Sequence, residues 1–428
     1  MLVGLSGTFF SMDTKKLDTG SRDAISWLPD EVLCNILSLL PMKPAASTSL
    51  LSKKWRNVFR LVDSFDFDGS VLLLPHNDKR ERGESFRNFM DRTQCDSPIK
   101  KFVLKRHIGD DSEMAYVGSW IYDVVERGVL EVDLSFKTEI EISLPCQLFT
   151  SKTLVKLTLG TQIFIGVEVL PPDMCLPALK ILFINSIFFE YDMCRLLLTS
   201  CPVLEELSVR HEDYIGTPFC ISNHSIKKLS VHYDAESEIN FMSGLSFDTP
   251  SLVFLDYFDY ALYEYTPINL ESLVEARLDI RYSKKITRPD ISGLIIGISN
   301  VKTLHLSPDS VDVSKNTKQG RGWKLLPKLL ELSPKLETLI IQGLNGYTGD
   351  VFMPLNHLKV LHILGYRGTS QELKHLKSFL GKTECLELLQ VNVKEAVVDN
   401  DIIILKTKKE LMMLLDTSVS PKCQIKVT

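Results

Sequence analysis

Residue types able to do chemistry cluster in only a few places in this chain of 428 residues. Asp63, Asp66 and Asp68 alternate along a strand-like run, the carboxylate spacing of a calcium loop, but the glycine and the distal glutamate of that motif are not in place. They read as the solvated face of a strand. His357 and His362 flank another apolar run. No Cys or third His stands at a useful spacing, so a metal site is not indicated. The glycine-rich GLNGYTGD from Gly343 lacks the Lys-Ser/Thr pair that a phosphate loop needs and reads as a turn. Asn223 to Ser225 forms a glycosylation sequon, idle in a cytosolic protein. There is no dinucleotide fingerprint, His-Glu-x-x-His or Gly-x-Ser-x-Gly elbow. The sequence thus offers no catalytic residues, no metal ligands and no cofactor site, and what remains is binding.

Composition narrows the kind of binding. With 44% apolar and 24% charged residues the chain can bury a sizeable core. A net charge of -5 gives no general attraction to phosphate backbones, which disfavours nucleic acid as a partner. No apolar run approaches the length of a membrane span. The nine cysteines are scattered singly without a Cys-x-x-Cys pair, which fits free thiols in a reducing compartment, cytoplasm or nucleus. The apolar N-terminus is not preceded by a basic residue, which argues against a secretory signal. Residues 1–22 read as a disordered extension, with Met12 heading a second candidate start.

The elements that organise the chain begin at Ser26, where SWLPDEVLCNILSLLPMKPAASTSLLSKKWRNVF opens. Leu33, Ile36, Leu37 and Leu40 fall on one stripe of a helix. Pro29, Asp30 and Glu31 suit its first turn, and Pro41 closes it. Ser52 can cap a last helix on which Trp55, Val58 and Phe59 share a face. At this spacing of Leu-Pro pairs, leucines, Ser52, Trp55 and Arg56 the segment resembles the F-box of plant F-box proteins. The resemblance implies docking on a Skp-type adaptor and, through it, on a cullin-RING ubiquitin ligase. It also implies adaptor-facing roles for Leu28, Pro29, Leu33, Ile36, Leu40 and Leu51, with Trp55 packing the module together. Two residues depart from the family pattern: Pro44, which would fit the first position of the second helix, and Phe59, which replaces a frequent second Trp.

Beyond residue 98 a Leu-x-x-Leu-x-Leu pattern with aliphatic substitutions starts twelve times, at Ile99, Val129, Leu154, Leu179, Leu204, Ile226, Leu252, Leu273, Val301, Leu336, Leu358 and Leu386. The mean period of about 26 residues is that of leucine-rich repeats. In each unit the last four positions alternate, so a short strand points two apolar side chains inward. The return legs carry helical patterns before Val129, Leu204 and Leu336. The asparagine that usually follows the strand is missing, with Tyr260, Arg281, Leu344 and Tyr366 among its replacements, so a degenerate solenoid is expected.

The expected fold class is α/β: an all-helical F-box (23–62), a connector (63–98), degenerate repeats (99–370) and an atypical C-terminal cap (371–428). The connector should hold a short strand near Phe65 to Leu74, a charged turn containing KRER, and a helix around Ser85 to Arg92. The cap, which ends in SPKCQIKV, resembles the FBD region of plant F-box/leucine-rich-repeat proteins. On the outward phase of the strands Ile181, Phe183, Phe254 and Phe258 are apolar and form the candidate surface for a protein substrate. Covering by a loop or by the connector is the other reading. The function expected is a non-catalytic substrate receptor of a ubiquitin ligase; the alternative is an adaptor-bound scaffold that targets nothing for degradation.

Overall fold

The computed structural model describes residues 25–67, 99–107, 111–137, 144–160, 164–165, 170–185, 188–189, 191–211, 220–233, 246–261, 265, 270–281, 290–311, 325–344, 353–393, 400–414 and 420–428. The N-terminal extension, the KRER turn and the helix expected around Ser85 lie outside these residues.

Three short helices come first: α1 (Asp30–Ser38), α2 (Met42–Thr48) and α3 (Lys53–Arg60). Proline sets the first two starts, since Pro29 and Pro41 occupy the N-cap positions. Pro44 is the third residue of α2 rather than the first. Its missing N–H costs nothing there, because first-turn amides have no carbonyl within the helix. At α3 the Ser52 hydroxyl accepts from the Trp55 N–H at 3.3 Å, as the sequence led one to expect. Lys54 ties the module together by donating to the Leu28 carbonyl at 2.9 Å.

The strands follow as β1 (Ser64–Phe67), β2 (Lys101–His107), β3 (Glu131–Lys137), β4 (Lys156–Leu159), β5 (Phe164–Ile165), β6 (Ile181–Asn185) and β7 (Phe188–Phe189). Then come β8 (Glu206–His211), β9 (Cys220–Ser222), β10 (Lys228–Tyr233), β11 (Ser246–Asp248), β12 (Phe254–Tyr260) and β13 (Glu275–Arg281). The last are β14 (Thr303–Leu306), β15 (Thr338–Gln342), β16 (Val360–Tyr366), β17 (Leu388–Val393) and β18 (Gln424–Val427). Fourteen of these form one sheet in chain order, and β5 with β7 and β9 with β11 form two small ones. Every pairing is parallel. All twelve repeat motifs lead into a strand that begins two residues after their first apolar position. The solenoid also takes in β1 and β18, from the segments read as connector and cap.

Strand alternation sets the core. Phe65, Phe102, Val132, Leu157, Leu182, Leu207, Leu229 and Leu255 form one continuous inner row, each aligned with its neighbour and buried. No strand covers its own apolar side, so each repeat is the solvent of the next. The helical return legs expected before Val129, Leu204 and Leu336 are present as Asp111–Glu126, Tyr191–Thr199 and Leu325–Leu332. The missing asparagines are replaced in two ways. Tyr366 and Leu344 are simply buried in the core, and at β13 Ser310 accepts from the Ile280 N–H and donates to the Leu278 carbonyl. A second device repeats where strands begin: one carbonyl accepts two consecutive N–H groups of the next unit, as at Lys180 from Glu205 and Glu206, and at Glu205 from Lys227 and Lys228. The sequon residue Asn223 is likewise structural, since its amide donates to the carbonyls of Leu198 and Cys201.

At Asp259 a polar group falls on the inner phase of β12. Asp259, half-buried as a residue, accepts through Oδ2 from the hydroxyls of Tyr257 at 2.5 Å and Tyr265 at 3.0 Å. Burial pushes its carboxyl up to about 7, against the opposing pull of those hydrogen bonds. In the unfolded chain the group titrates near 3.8, so between 3.8 and about 7 the fold keeps a proton that the unfolded chain has released. Stability from this group is therefore full below pH 4 and falls through that window as pH rises. Asp259→Asn should abolish this part of the pH dependence, and thermal melts should place the variant above the wild type at pH 8 but not at pH 4. Parallel melting curves at every pH would show that the carboxyl titrates normally.

Candidate functional site

The first candidate surface lies on the module of three helices, mostly at the segments that join them. Their inner side, with Leu33, Leu37, Met42, Ala45, Trp55, Val58 and Phe59, merges with Phe65 and Phe67 of β1 into the solenoid core. A unit of this size cannot bury all its apolar residues, and the remainder stays open to solvent. Leu39 is 85% exposed, Leu50 82%, Trp27 78% and Leu51 71%. Val32 and Ile36 add to the same exposed apolar set. Isolated exposed leucines are ordinary, but this density in so few residues marks a surface built for a partner.

The residues assigned from the F-box resemblance divide accordingly. Leu51, Pro29 and Ile36 are exposed, and Leu28 and Leu40 are half-buried against the core. Leu33 requires correction: it is fully buried and holds α1 to its neighbours, so it presents nothing to an adaptor. The helical stripe placed it correctly beside Leu37, yet a stripe does not say whether the module or a partner covers it. Trp27, Leu39 and Leu50, which the resemblance did not single out, are exposed as well. The signal available was the doubling at Leu39-Leu40 and Leu50-Leu51, since a short helix has one covered face and cannot hide both leucines of a pair: Leu39 is outside with Leu40 half-buried, and Leu50 and Leu51 are both outside.

The second candidate surface is the outward strand face. Ile181 and Phe183 on β6, and Phe254 and Phe258 on β12, stand on it half-buried. The four do not form one patch, since β8 and β10 intervene with Glu206, Ser208, Lys228 and Ser230. Three strand spacings separate the pairs, about 14 Å. Each ring but that of Ile181's neighbour Phe183 meets a guanidinium: Arg277 lies 5.1 Å from the Phe254 centroid and Arg281 lies 4.4 Å from that of Phe258. Over Phe183 the cation is the Lys156 ammonium, at 5.7 Å. The His232 ring stacks on Phe258 with centroids 6.0 Å apart.

Next to this aromatic cluster a groove of about 270 Å³ runs across β12 to β16. Asp256, Arg277, Asp279, His305, Ser307, Ile340, Gln342 and Leu364 line it together with the strand positions Leu278 and Leu306. Within it Ser307 donates to Asp279 Oδ1 at 2.6 Å. Burial and the nearby Arg277 charge lower the basicity of His305. The His232 hydrogen bond at 3.1 Å lowers the Asp256 carboxyl, which stays ionised. His362, once weighed as a metal ligand, bonds Asn392, while His357 is exposed outside the strand.

A helical module with uncovered leucines, continuous with a parallel-strand repeat array whose outer face carries a groove, is the plan of a modular binding protein. Comparison with known proteins supplies the family. The profile of the F-box domain matches residues 25–67. A profile described as "FBD-associated F-box protein At5g56370, LRR repeats" matches residues 117–264. F-box/LRR-repeat protein At3g60040 of Arabidopsis thaliana is 54% identical, covering 97% of this chain and 100% of the relative. F-box/LRR-repeat protein At1g06630 of the same plant is 50% identical, covering 88% of this chain and 99% of its own length. The chain belongs to the F-box/LRR-repeat family.

Proposed function

We propose that this chain is the substrate-recognition subunit of a Skp-cullin-F-box ubiquitin ligase. The observation that carries the reading is the exposed apolar set of the three-helix module, at the end of the solenoid and within the residues that match the F-box profile. The helices would hold a Skp-type adaptor while the strand face holds a protein whose lysines the assembled ligase modifies. The chain itself supplies no catalytic group in this reading: it raises the effective concentration of substrate at a distant active centre. Free thiols at all eight described cysteines support a reducing compartment, cytoplasmic or nuclear.

The experiment compares wild type with the double variant Phe183→Glu, Phe254→Glu in cells, with and without proteasome inhibition. Both rings stand on the outward phase, where a new charge disturbs a partner more than the fold. Proteins co-purifying with wild type should accumulate under inhibition and be depleted from the variant, with adaptor recovery equal in both. Partners that do not accumulate would make the chain an adaptor-bound scaffold instead. Joint loss of adaptor and partners would mean that the variant has collapsed.

A further inference from the structure

We propose that the groove across β12 to β16 receives a basic side chain, Lys or Arg, of the captured protein, in a segment that also carries an apolar residue. This rests on the reading of the chain as a substrate receptor and names the chemistry it selects.

The inference comes from how hydrogen-bonding capacity is distributed around the groove. Its cationic group is turned toward Glu275: Arg277 donates from Nε and Nη2 to Glu275 Oε1 at 3.2 and 3.1 Å, its guanidinium lies over Phe254, and its charge also helps to hold Asp256 ionised. His305 contacts the same Glu275 oxygen at 3.3 Å, and burial together with the Arg277 charge disfavours its protonation. Glu275 itself is not part of the groove lining. The acceptors in the lining are less fully used. Asp256 is engaged through Oδ2 by His232. Asp279 takes the Ser307 hydroxyl on Oδ1, while Oδ2 is ion-paired with Arg281 at 3.4 Å. Both carboxylates keep lone pairs for a further donor, since each ionised oxygen can accept twice.

Geometry brings those acceptors within one ligand's reach. Asp256 is aligned with Arg277 across the β12 and β13 pair, so Asp279 is its diagonal neighbour. Diagonal positions lie about 7–8 Å apart at the backbone, a separation that one guanidinium or ammonium between the two side chains can bridge. Toward β15 and β16 the lining adds the apolar Ile340 and Leu364 beside Gln342. A basic side chain matches both halves, because its methylene stem covers apolar surface while its head seeks carboxylates. An acidic side chain would meet two carboxylates in a partly desolvated groove. A purely apolar one would strip water from them without replacing its hydrogen bonds.

The test uses the full chain, co-purified with a Skp-type adaptor, to select from a random peptide library. Selected peptides should share a Lys or Arg close to an apolar residue. Changing that basic residue to Gln should weaken binding about tenfold or more, the worth of a charge-assisted hydrogen bond. Asp256→Asn and Asp279→Asn, made separately, should each weaken the selected peptide by a similar factor. Asp256 makes no bond to Ser307, so its variant guards against an effect of lost folding at Asp279. Peptides with acidic or no common residues, or affinities unchanged by both substitutions, would overturn the inference. Adaptor retention is scored in the same samples: its loss strikes the ligase reading, whereas its retention with peptide failure strikes the groove alone.

Discussion

Leu50→Ser together with Leu51→Ser should abolish capture of a recombinant Skp-type adaptor by the full chain and leave its melting temperature unchanged. The two leucines are 82% and 71% exposed, so they contribute little to the fold and gain most from being covered. Burying one leucine is worth about 1.5 to 3 kcal/mol, and loss of two corresponds to a drop in affinity of roughly a hundredfold or more. The same substitution at Leu33 would give an uninformative loss, since that residue is inside the module. Leu28 is also a poorer probe: it packs against the core, and its carbonyl holds Lys54. Titration calorimetry of purified proteins provides the affinity, and a thermal melt provides the control. Adaptor binding at wild-type strength by this variant would remove the helical module from the interface.

The repeats were legible because their signal is local. In LEELSV from Leu204 the alternation alone places Leu207 and Val209 inward, and the structure buries both completely. The final strand was legible only through the resemblance of SPKCQIKV to the FBD region, and the structure places Ile425 and Val427 on its half-buried side. The adaptor side of the helices was harder to read. Periodicity shows which residues share a face, but in helices of nine, seven and eight residues nearly every apolar residue is close to a boundary between covered and open. Leu33, read as adaptor-facing, lies inside the module, and Leu39, which the stripe did not single out, is exposed. The groove could not be read at all. Its lining joins Ser307 by a hydrogen bond to Asp279, which lies on a neighbouring strand 28 residues earlier in the chain. Its electrostatics depend on Glu275 occupying Arg277 and His305. Both arise only once the strands are in register. The outward aromatics were found individually, but alternation could not show that β8 and β10 would divide them into two groups.

Leu207→Asp should give insoluble protein, or a melting temperature far below that of the wild type. Leu207 is fully buried on β8 and aligned with Leu182 on β6 and Leu229 on β10. Aspartate at this position would lose the apolar contacts of a leucine and place a carboxylate where both flanking rows are aliphatic. Removing the leucine alone costs about 2 to 5 kcal/mol. The buried charge adds to this unless the group takes up a proton, in which case the cost is moved into a strongly raised pKa. A total above about 5 kcal/mol is comparable to the whole stability of many domains. Because the repeats support one another in sequence, the damage should spread beyond β8 and expose the amides of β6 and β10 to hydrogen exchange. Leu207→Ala serves as the soluble companion, with a smaller loss and the same pattern of exposed amides. A melting curve and exchange map like those of the wild type for both variants would mean that Leu207 does not face the core and that the inward register of the solenoid is wrong.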